Sequence, residues 1–188
     1  MFVVTGPSGA GKGTLISMIL PRFPILREAV SATTRERRAG EENGVDYWFL
    51  STEDFSRRVE AGEFLEWVSY VGNCYGTLRS EVDRIRAAGC AALLELETEG
   101  ASAVSDEVPG AVTIFVTAPI EELERRLRER ATESSGVIGD RVTLARHQLE
   151  EQGLFDHVVV NDHRERAAEE LARIVERELA AAATMGRP

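Results

Sequence analysis

The 188-residue chain contains a single lysine, Lys12; apart from histidine, every other cationic side chain is arginine. A chain that uses arginine everywhere else and keeps one ammonium points to a need for a compact, mobile charge at that place. Cysteine is scarce as well. Cys74 and Cys90 are too few for a disulfide framework and fit a reducing compartment. Long apolar runs are missing: none approaches the roughly 20 residues of a membrane span, although 43% of the chain is hydrophobic, an ordinary share for a globular core. No basic leader with a cleavage site precedes the first expected strand, so secretion is not expected and a cytoplasmic location is. Positive charge is in deficit, with a formal net charge of −10. That argues against a nucleic-acid or anionic-membrane surface. Internal repeats and low-complexity tracts are also lacking. The length suits one compact domain with an insertion or two, as a monomer or weak homo-oligomer.

What is present begins around that lysine. Phe2, Val3 and Val4 form a short apolar, β-branched run that reads as a buried strand. Gly6 to Gly13 follows as a glycine-rich loop, and Leu15, Ile16, Met18, Ile19 and Leu20 begin a helical apolar pattern. Strand, glycine loop, helix is the context that a phosphate-binding P-loop requires. Glycines let backbone N–H groups approach an anion, and the helix adds its free N–H groups and positive dipole end. The motif is G-x-x-x-x-G-K from Gly6 to Lys12, but Gly13 stands where Ser or Thr usually follows, which removes the nearest hydroxyl ligand for Mg²⁺. Thr14 comes next, and G-K-G-T resembles the loop of adenylate kinases and some other nucleoside monophosphate kinases. The expected phosphate contacts are Gly6, Pro7, Ser8, Gly9, Ala10, Gly11, Lys12, Gly13 and Thr14. A negatively charged protein that binds phosphates must also gather arginines locally.

Along the chain, strands are expected at 2–5, 91–96, 112–116 and 158–160, with an extended segment at 25–34. Helices are expected at 11–20, stopped by Pro21 and Pro24, and at 80–88, 120–130, 141–151 and 165–179. A small-residue break covers 132–139, and 180–188 is expected to fray. Short buried strands alternating with helices imply an α/β fold: a parallel sheet with helices on both faces, a three-layer core. The stretch from about 32 to 83 departs from that alternation and reads as an α+β insertion. Thr52-Glu53-Asp54-Phe55 opens a helix there, which Gly62 ends, and Phe64 to Tyr70 alternates as a strand.

The insertion holds a second cluster. Ser31, Arg35, Arg37, Arg38, Glu41 and Tyr47 stand close together, with Glu66, Tyr75 and Thr77 beyond. Guanidinium suits bidentate phosphate contact, and a tyrosine hydroxyl can add a donor. The stretches G-P-S-G-A-G-K, S-A-T-T-R-x-x-R-x-G-E-x-x-G-x-D-Y, F-L-E-W, G-N-x-Y-G-T, R-L-x-x-R-x-T-E and V-V-V-N-D run in order over about residues 2–162. On these motifs the chain resembles the guanylate kinases.

The resemblance implies an ATP:GMP phosphotransferase, with ATP and Mg²⁺ as cofactors and GMP, or dGMP, as acceptor. It implies a nucleotide-binding core of residues 1–31, 84–124 and 146–188, a GMP-binding insertion at 32–83 and a helical lid at 125–145. Arg35, Arg38, Tyr47 and Tyr75 would hold the GMP phosphate, with Glu41 bracing the arginines. Ser31, Glu66 and Thr77 would read the guanine, and Asn161 would sit near the adenine of ATP. Lys12, Arg130 and Arg141 would be catalytic, the two arginines closing over the triphosphate. The remaining arginines of the lid helix form i,i+4 pairs with Glu121, Glu122 and Glu124 and read as a solvated surface. The chemistry of guanine agrees: N1–H and N2–H₂ are adjacent donors that one carboxylate can accept, and O6 and N7 are acceptors for a hydroxyl.

Leu93 to Gly100 departs from the family's L-D-x-D-x-Q-G: Glu95, Glu97 and Glu99 replace its two Asp and its Gln. Two apart on a strand, Glu95 and Glu97 would face one side, Glu95 as the water-mediated Mg²⁺ acceptor and Glu97 as a second guanine-side carboxylate. Thr14 is a weak further metal candidate, and Ala131 replaces the usual Gly after the lid arginine. Two rivals are a guanylate-kinase-like domain that is catalytically weak and binds a protein partner, and a P-loop kinase for another monophosphate. The intact Lys12 and its glycines argue against the first.

Overall fold

The computed structural model describes residues 1–70, 72–130 and 135–184, with the side chains of 130, 135–138 and 140 left outside that description. The first half of the chain runs β1 (Phe2–Thr5), α1 (Lys12–Ile19), β2 (Leu26–Glu28), β3 (Ala32–Thr33), β4 (Trp48–Phe49), α2 (Thr52–Glu60), β5 (Phe64–Tyr70), β6 (Asn73–Leu78) and α3 (Arg79–Ala87). It continues as β7 (Ala91–Glu95), α4 (Thr98–Glu107), β8 (Val112–Thr117), α5 (Ile120–Arg130), α6 (Ser135–Glu150), β9 (His157–Val160) and α7 (Arg164–Thr184). The elements gather into two compact units. One comprises Met1 with Ile25–Ala111, the other Phe2–Pro24 with Val112–Pro188.

In the second unit, β1, β8 and β9 are parallel, with Val4 opposite Ile114 and Val116 opposite Val159. Their sequences are nearly continuous apolar runs because both faces are covered. Val3, Val4, Ile114, Phe115, Val116 and Val159 are fully buried, as are Leu15 and Ile19 of α1 and Leu171 and Val175 of α7. The α7 positions recur at four-residue spacing and make one apolar stripe. Pro21 ends α1 in a single 3-10 turn, Leu20–Arg22. The edge between β8 and the approach to β9 is tied by a reciprocal pair. Asp156 Oδ2 accepts from the Thr113 N–H (2.8 Å) and hydroxyl (2.7 Å), and the Thr113 hydroxyl oxygen accepts from the Asp156 N–H (2.9 Å).

In the first unit, β2 and β7 pair in parallel, and β4-β3-β6-β5 form a four-stranded sheet. Within that sheet β4–β3 is parallel, whereas β3–β6 and β6–β5 are antiparallel. Its apolar face closes on α2, where Phe55 stacks on Phe64 at 4.4 Å between ring centres, beside Ala32 and Leu78. Ser51 caps α2 by accepting from the Asp54 N–H at 3.1 Å, and Glu53 and Asp54 suit the positive end of that helix.

Four expectations change. The helix Thr98–Glu107 was not anticipated, because a mixture of small and polar residues hides its apolar stripe of Ala101 and Val104. The break at 132–139 is shorter, since α6 is already helical at Ser135; residues 131–134, Ala131 among them, lie outside the described residues. The chain from Ala180 to Thr184 does not fray but prolongs α7, an alanine-rich end with high helix propensity. Glu97 is not on the strand with Glu95. β7 stops at Glu95, and Glu97 is the residue that caps α4, its carbonyl accepting from the Ala101 N–H at 2.9 Å. No helix of the described residues is long and apolar enough to cross a membrane.

Replacing Asp156 by Ala leaves the buried Thr113 N–H without its acceptor. The expected result is a loss of about 1–3 kcal/mol in unfolding free energy by denaturant titration, with an unchanged far-ultraviolet circular dichroism spectrum.

Candidate active site

The phosphate loop lies wholly in the second unit, between β1 and α1. Gly6, Gly9 and Gly11 have φ of 131°, 87° and 88°, values that side-chain-bearing residues rarely adopt. Two of them are also sterically closed. A Cβ on Gly6 would lie 2.0 Å from the Val116 carbonyl oxygen, and one on Gly11 would lie 2.6 Å from Asn161 Nδ2. Lys12 is the first helical residue; it is buried, and its Nζ donates to the Gly6 carbonyl at 2.7 Å. The ammonium is therefore held back over the loop it serves. Pro7 is buried, Ser8 half-buried and Ala10 buried; Gly13 and Thr14 are exposed in the first turn of α1.

Asn161 braces this loop. Its Nδ2 donates to the Ala10 carbonyl at 2.7 Å, its N–H donates to the Thr117 carbonyl at 2.6 Å, and its buried Oδ1 has no hydrogen-bond partner among the described residues. Arg126 makes loop contacts that the helix pattern concealed. It was expected on a solvated surface, paired with Glu122. Nε does pair with Glu122 at 2.7 Å, but Nη1 donates to the Gly9 and Ala10 carbonyls, each at 3.4 Å, and Nη2 to the Asn161 carbonyl at 3.0 Å. One guanidinium thus ties α5 to both the phosphate loop and the β9 terminus. The available signal was its place just before Leu127 in R-L-x-x-R, outweighed by the i,i+4 pairing rule. Arg128 does pair with Glu124, as does Arg146. Arg141 is half-buried in the second turn of α6; the side chain of Arg130 lies outside the described residues.

The other cluster lies in the first unit. Arg35 and Glu41 make a bidentate pair, Nη2 to Oε1 at 2.7 Å and Nη1 to Oε2 at 3.1 Å. Glu41 Oε2 also accepts from the Arg38 N–H at 2.8 Å, and the Arg35 guanidinium with that N–H holds the Glu41 carboxyl below its usual range. The guanidinium of Arg35 lies over the Tyr47 ring at 5.4 Å, and Tyr47 meets Tyr75 edge-on at 6.2 Å. Burial, with Glu95 and Tyr75 as lesser causes, pushes the Tyr47 hydroxyl upward. Arg38 is exposed. Ser31 immediately precedes β3, its carbonyl accepting from the Trp48 N–H at 2.8 Å.

Glu66 is the sharpest feature. It is 6% exposed, and its Oε1 and the Thr77 Oγ1 are buried with no partner at hydrogen-bond geometry among the described residues. Burial pushes its carboxyl up to about 7, partly opposed by the nearby Thr77 hydroxyl and N–H. A bulge sets this up. Phe64 faces Leu78, but Glu66, not Leu65, faces Thr77, so the extra residue turns the carboxylate toward Thr77 on the adjoining strand. Tyr75 shares that face of β6 by alternation. Glu95, at the end of β7, adds to the burial that pushes the Glu28 carboxyl upward, although Glu28 as a residue is exposed. Glu97 is half-buried one turn before Ala101. Among the described residues no three His, Cys, Asp or Glu side chains form a ready metal site. This donor set fits Mg²⁺ only as an ion held chiefly by nucleotide phosphates and water, with a single carboxylate behind it.

A glycine cradle after a parallel strand, one lysine at the mouth of the following helix and arginines gathered elsewhere define a P-loop phosphotransferase. Comparison with known proteins narrows the class. The guanylate kinase family model matches residues 1–178. A guanylate kinase of Rubrobacter xylanophilus is 48% identical over 178 residues, covering 94% of this chain and 93% of that protein. One from Synechococcus sp. (strain JA-3-3Ab) is 46% identical over 176 residues, covering 93% of this chain and 81% of the relative. The crystal structure of guanylate kinase from Anaplasma phagocytophilum superposes with a TM-score of 0.75 at 28% identity, over 95% of this chain and 85% of that one. The shikimate kinase of Bacteroides thetaiotaomicron shares the fold alone, with a TM-score of 0.50 and 15% identity over 93% of this chain and 97% of that one. The chain belongs to the guanylate kinase family, and it is an enzyme of the nucleoside monophosphate kinase class.

A carboxyl whose folded pKa is raised contributes full stability below its unfolded value of about 4.5 and loses it as pH rises through about 7. Relative to the parent, Glu66→Gln should therefore gain stability between pH 4.5 and pH 8, by at most about 3 kcal/mol. Thermal melts across that range would show this, and two melting curves that stay parallel would contradict it.

Proposed function

We propose that this chain transfers the γ-phosphoryl group of ATP to GMP, and to dGMP, giving ADP and the diphosphate, and that it does so in the cytoplasm. The observation that carries the acceptor assignment is the buried Glu66 carboxylate facing Thr77, whose Oε1 has no hydrogen-bond partner among the described residues. Guanine N1–H and N2–H₂ are a matched pair of donors for it. Adenine lacks that pair and would leave a buried charge unsatisfied, a cost of about 1–3 kcal/mol or more, which is a strong basis for discrimination. Ser31 and Thr77 add hydroxyls for the remaining edge of the base, and Glu97, at the start of α4, is the second candidate carboxylate for it. Arg35 and Arg38, with Tyr47 and Tyr75, hold the GMP phosphate. Glu41 keeps the Arg35 fork oriented and so lowers the ordering cost of binding.

On the donor side, Gly6 to Thr14 wrap the triphosphate with backbone N–H groups, and Asn161 and Arg126 hold the loop in shape beside the adenine. Lys12 leaves the Gly6 carbonyl for the β- and γ-phosphates, and Arg130 and Arg141 neutralise charge on the transferring group, a role that can contribute about 10³–10⁵ in rate. Mg²⁺ bound with ATP would supply charge screening for the phosphates; Glu95 would support it through water, and Thr14 is the other candidate. The nucleophile is the GMP phosphate itself, so positioning and charge stabilisation carry the catalysis.

A coupled ADP-release assay with GMP, dGMP, AMP, CMP, UMP and no acceptor tests the reaction. Turnover on GMP well above AMP is expected, and the reverse order would reject the base assignment. Lys12→Met should abolish turnover with the fold retained. Because only the ionised Glu66 accepts both guanine donors, the KM for GMP should rise about tenfold from pH 8 to pH 6, and Glu66→Gln should flatten that profile.

A further inference from the structure

The geometry points to Gly100 as a specificity-determining positioning residue, whose missing side chain reserves the space in which the Glu66 carboxylate stands. This rests on the reading of Glu66 as the guanine contact. A Cβ at Gly100 would lie 2.5 Å from Glu66 Oε2 and 3.2 Å from its carboxyl carbon. Carbon–oxygen contact at that range is well inside van der Waals separation, so the carboxylate would have to retreat by about 1 Å.

No backbone requirement explains the glycine. Gly100 lies in the first turn of α4 and has no positive φ, unlike Gly6, Gly9 and Gly11 of the phosphate loop. In an ordinary helical conformation glycine is disfavoured relative to alanine. The three atoms nearest the hypothetical Cβ all belong to the Glu66 side chain. The chain thus carries a weak helix former at a place in α4 that faces a buried carboxylate. Glu66 in turn has little freedom to move, being 6% exposed and set opposite Thr77 by the bulge in β5. A methyl group at position 100 would push first on the far end of one side chain. Its effect should therefore fall on base recognition, leaving stability intact. A displacement of this size in a recognition group can cost up to about a hundredfold.

The test compares the parent, Gly100→Ala, Glu66→Asp, the double variant and Glu66→Gln in steady-state kinetics and thermal melts. For Gly100→Ala the expected result is a KM for GMP raised at least about tenfold, with kcat and the KM for ATP within about threefold of the parent and a melting temperature that does not fall. In the Glu66→Asp background, where the carboxylate is one methylene shorter and already withdrawn, adding Gly100→Ala should change the GMP KM less than about threefold. An unchanged GMP KM in Gly100→Ala, an equal penalty in both backgrounds, or a lowered melting temperature with kcat and both KM values altered would overturn the proposal. Glu66→Gln separates the two readings. If it raises the GMP KM while Gly100→Ala does not, the role of Gly100 fails alone. If it leaves the GMP KM unchanged, the guanine contact fails and the role of Gly100 with it.

Discussion

A buried carboxylate with one oxygen left unpartnered among the described residues is costly to hold, and several local features surround it. Glu66 sits beneath the surface with its pKa pushed up to about 7. The bulge in β5 turns it toward Thr77, α4 passes close by, and Gly100 leaves the space that its Oε2 fills. A charge held in this way destabilises the empty protein. On the proposed reading that cost is recovered when the matching donors of the base arrive, so that strain in the free state becomes selectivity.

The phosphate loop solves the opposite problem. Here the ligand brings the negative charge, and the protein must present donors without a competing side chain. Gly6 and Gly11 are glycines because a Cβ would collide with the Val116 carbonyl and with Asn161. Asn161 and Arg126 satisfy the loop carbonyls that would otherwise point into the protein unpaired. The carbonyls are thereby tied inward, and the N–H groups are left for the anion. In a chain with a net charge of −10, anion binding depends on such local arrangements of donors, because the overall field opposes it.

Membership in the family and the local chemistry meet at two departures. Gly13 is exposed in the first turn of α1 and offers no hydroxyl, and Glu95 and Glu97 are longer than the acids that the resemblance implies there. In the structure these two glutamates have different settings: Glu95 ends a strand, whereas Glu97 caps a helix. The one-sided pair inferred from two-residue spacing assumed that the strand continued, and it stops at Glu95.

Periodicity and motif order alone determined the parallel α/β core, the place of the phosphate loop, the α+β character of the stretch after residue 32 and the clustering of arginines with tyrosines. These are local properties: glycine spacing, apolar runs and caps act within a few residues. Tertiary structure decided the rest. Arg126 is an (i, i+4) surface arginine by pattern, and only packing brings its guanidinium onto the carbonyls of residues more than a hundred positions earlier. The helix Thr98–Glu107 has too few large apolar residues to be seen without the surface it covers. The bulge at Phe64–Glu66 is a property of two strands and not of one. Gly100 reads as an ordinary glycine until the fold sets a buried carboxylate 2.5 Å from where its side chain would be. A sequence records which groups are available, but contact between distant groups is fixed by the packing that brings them together.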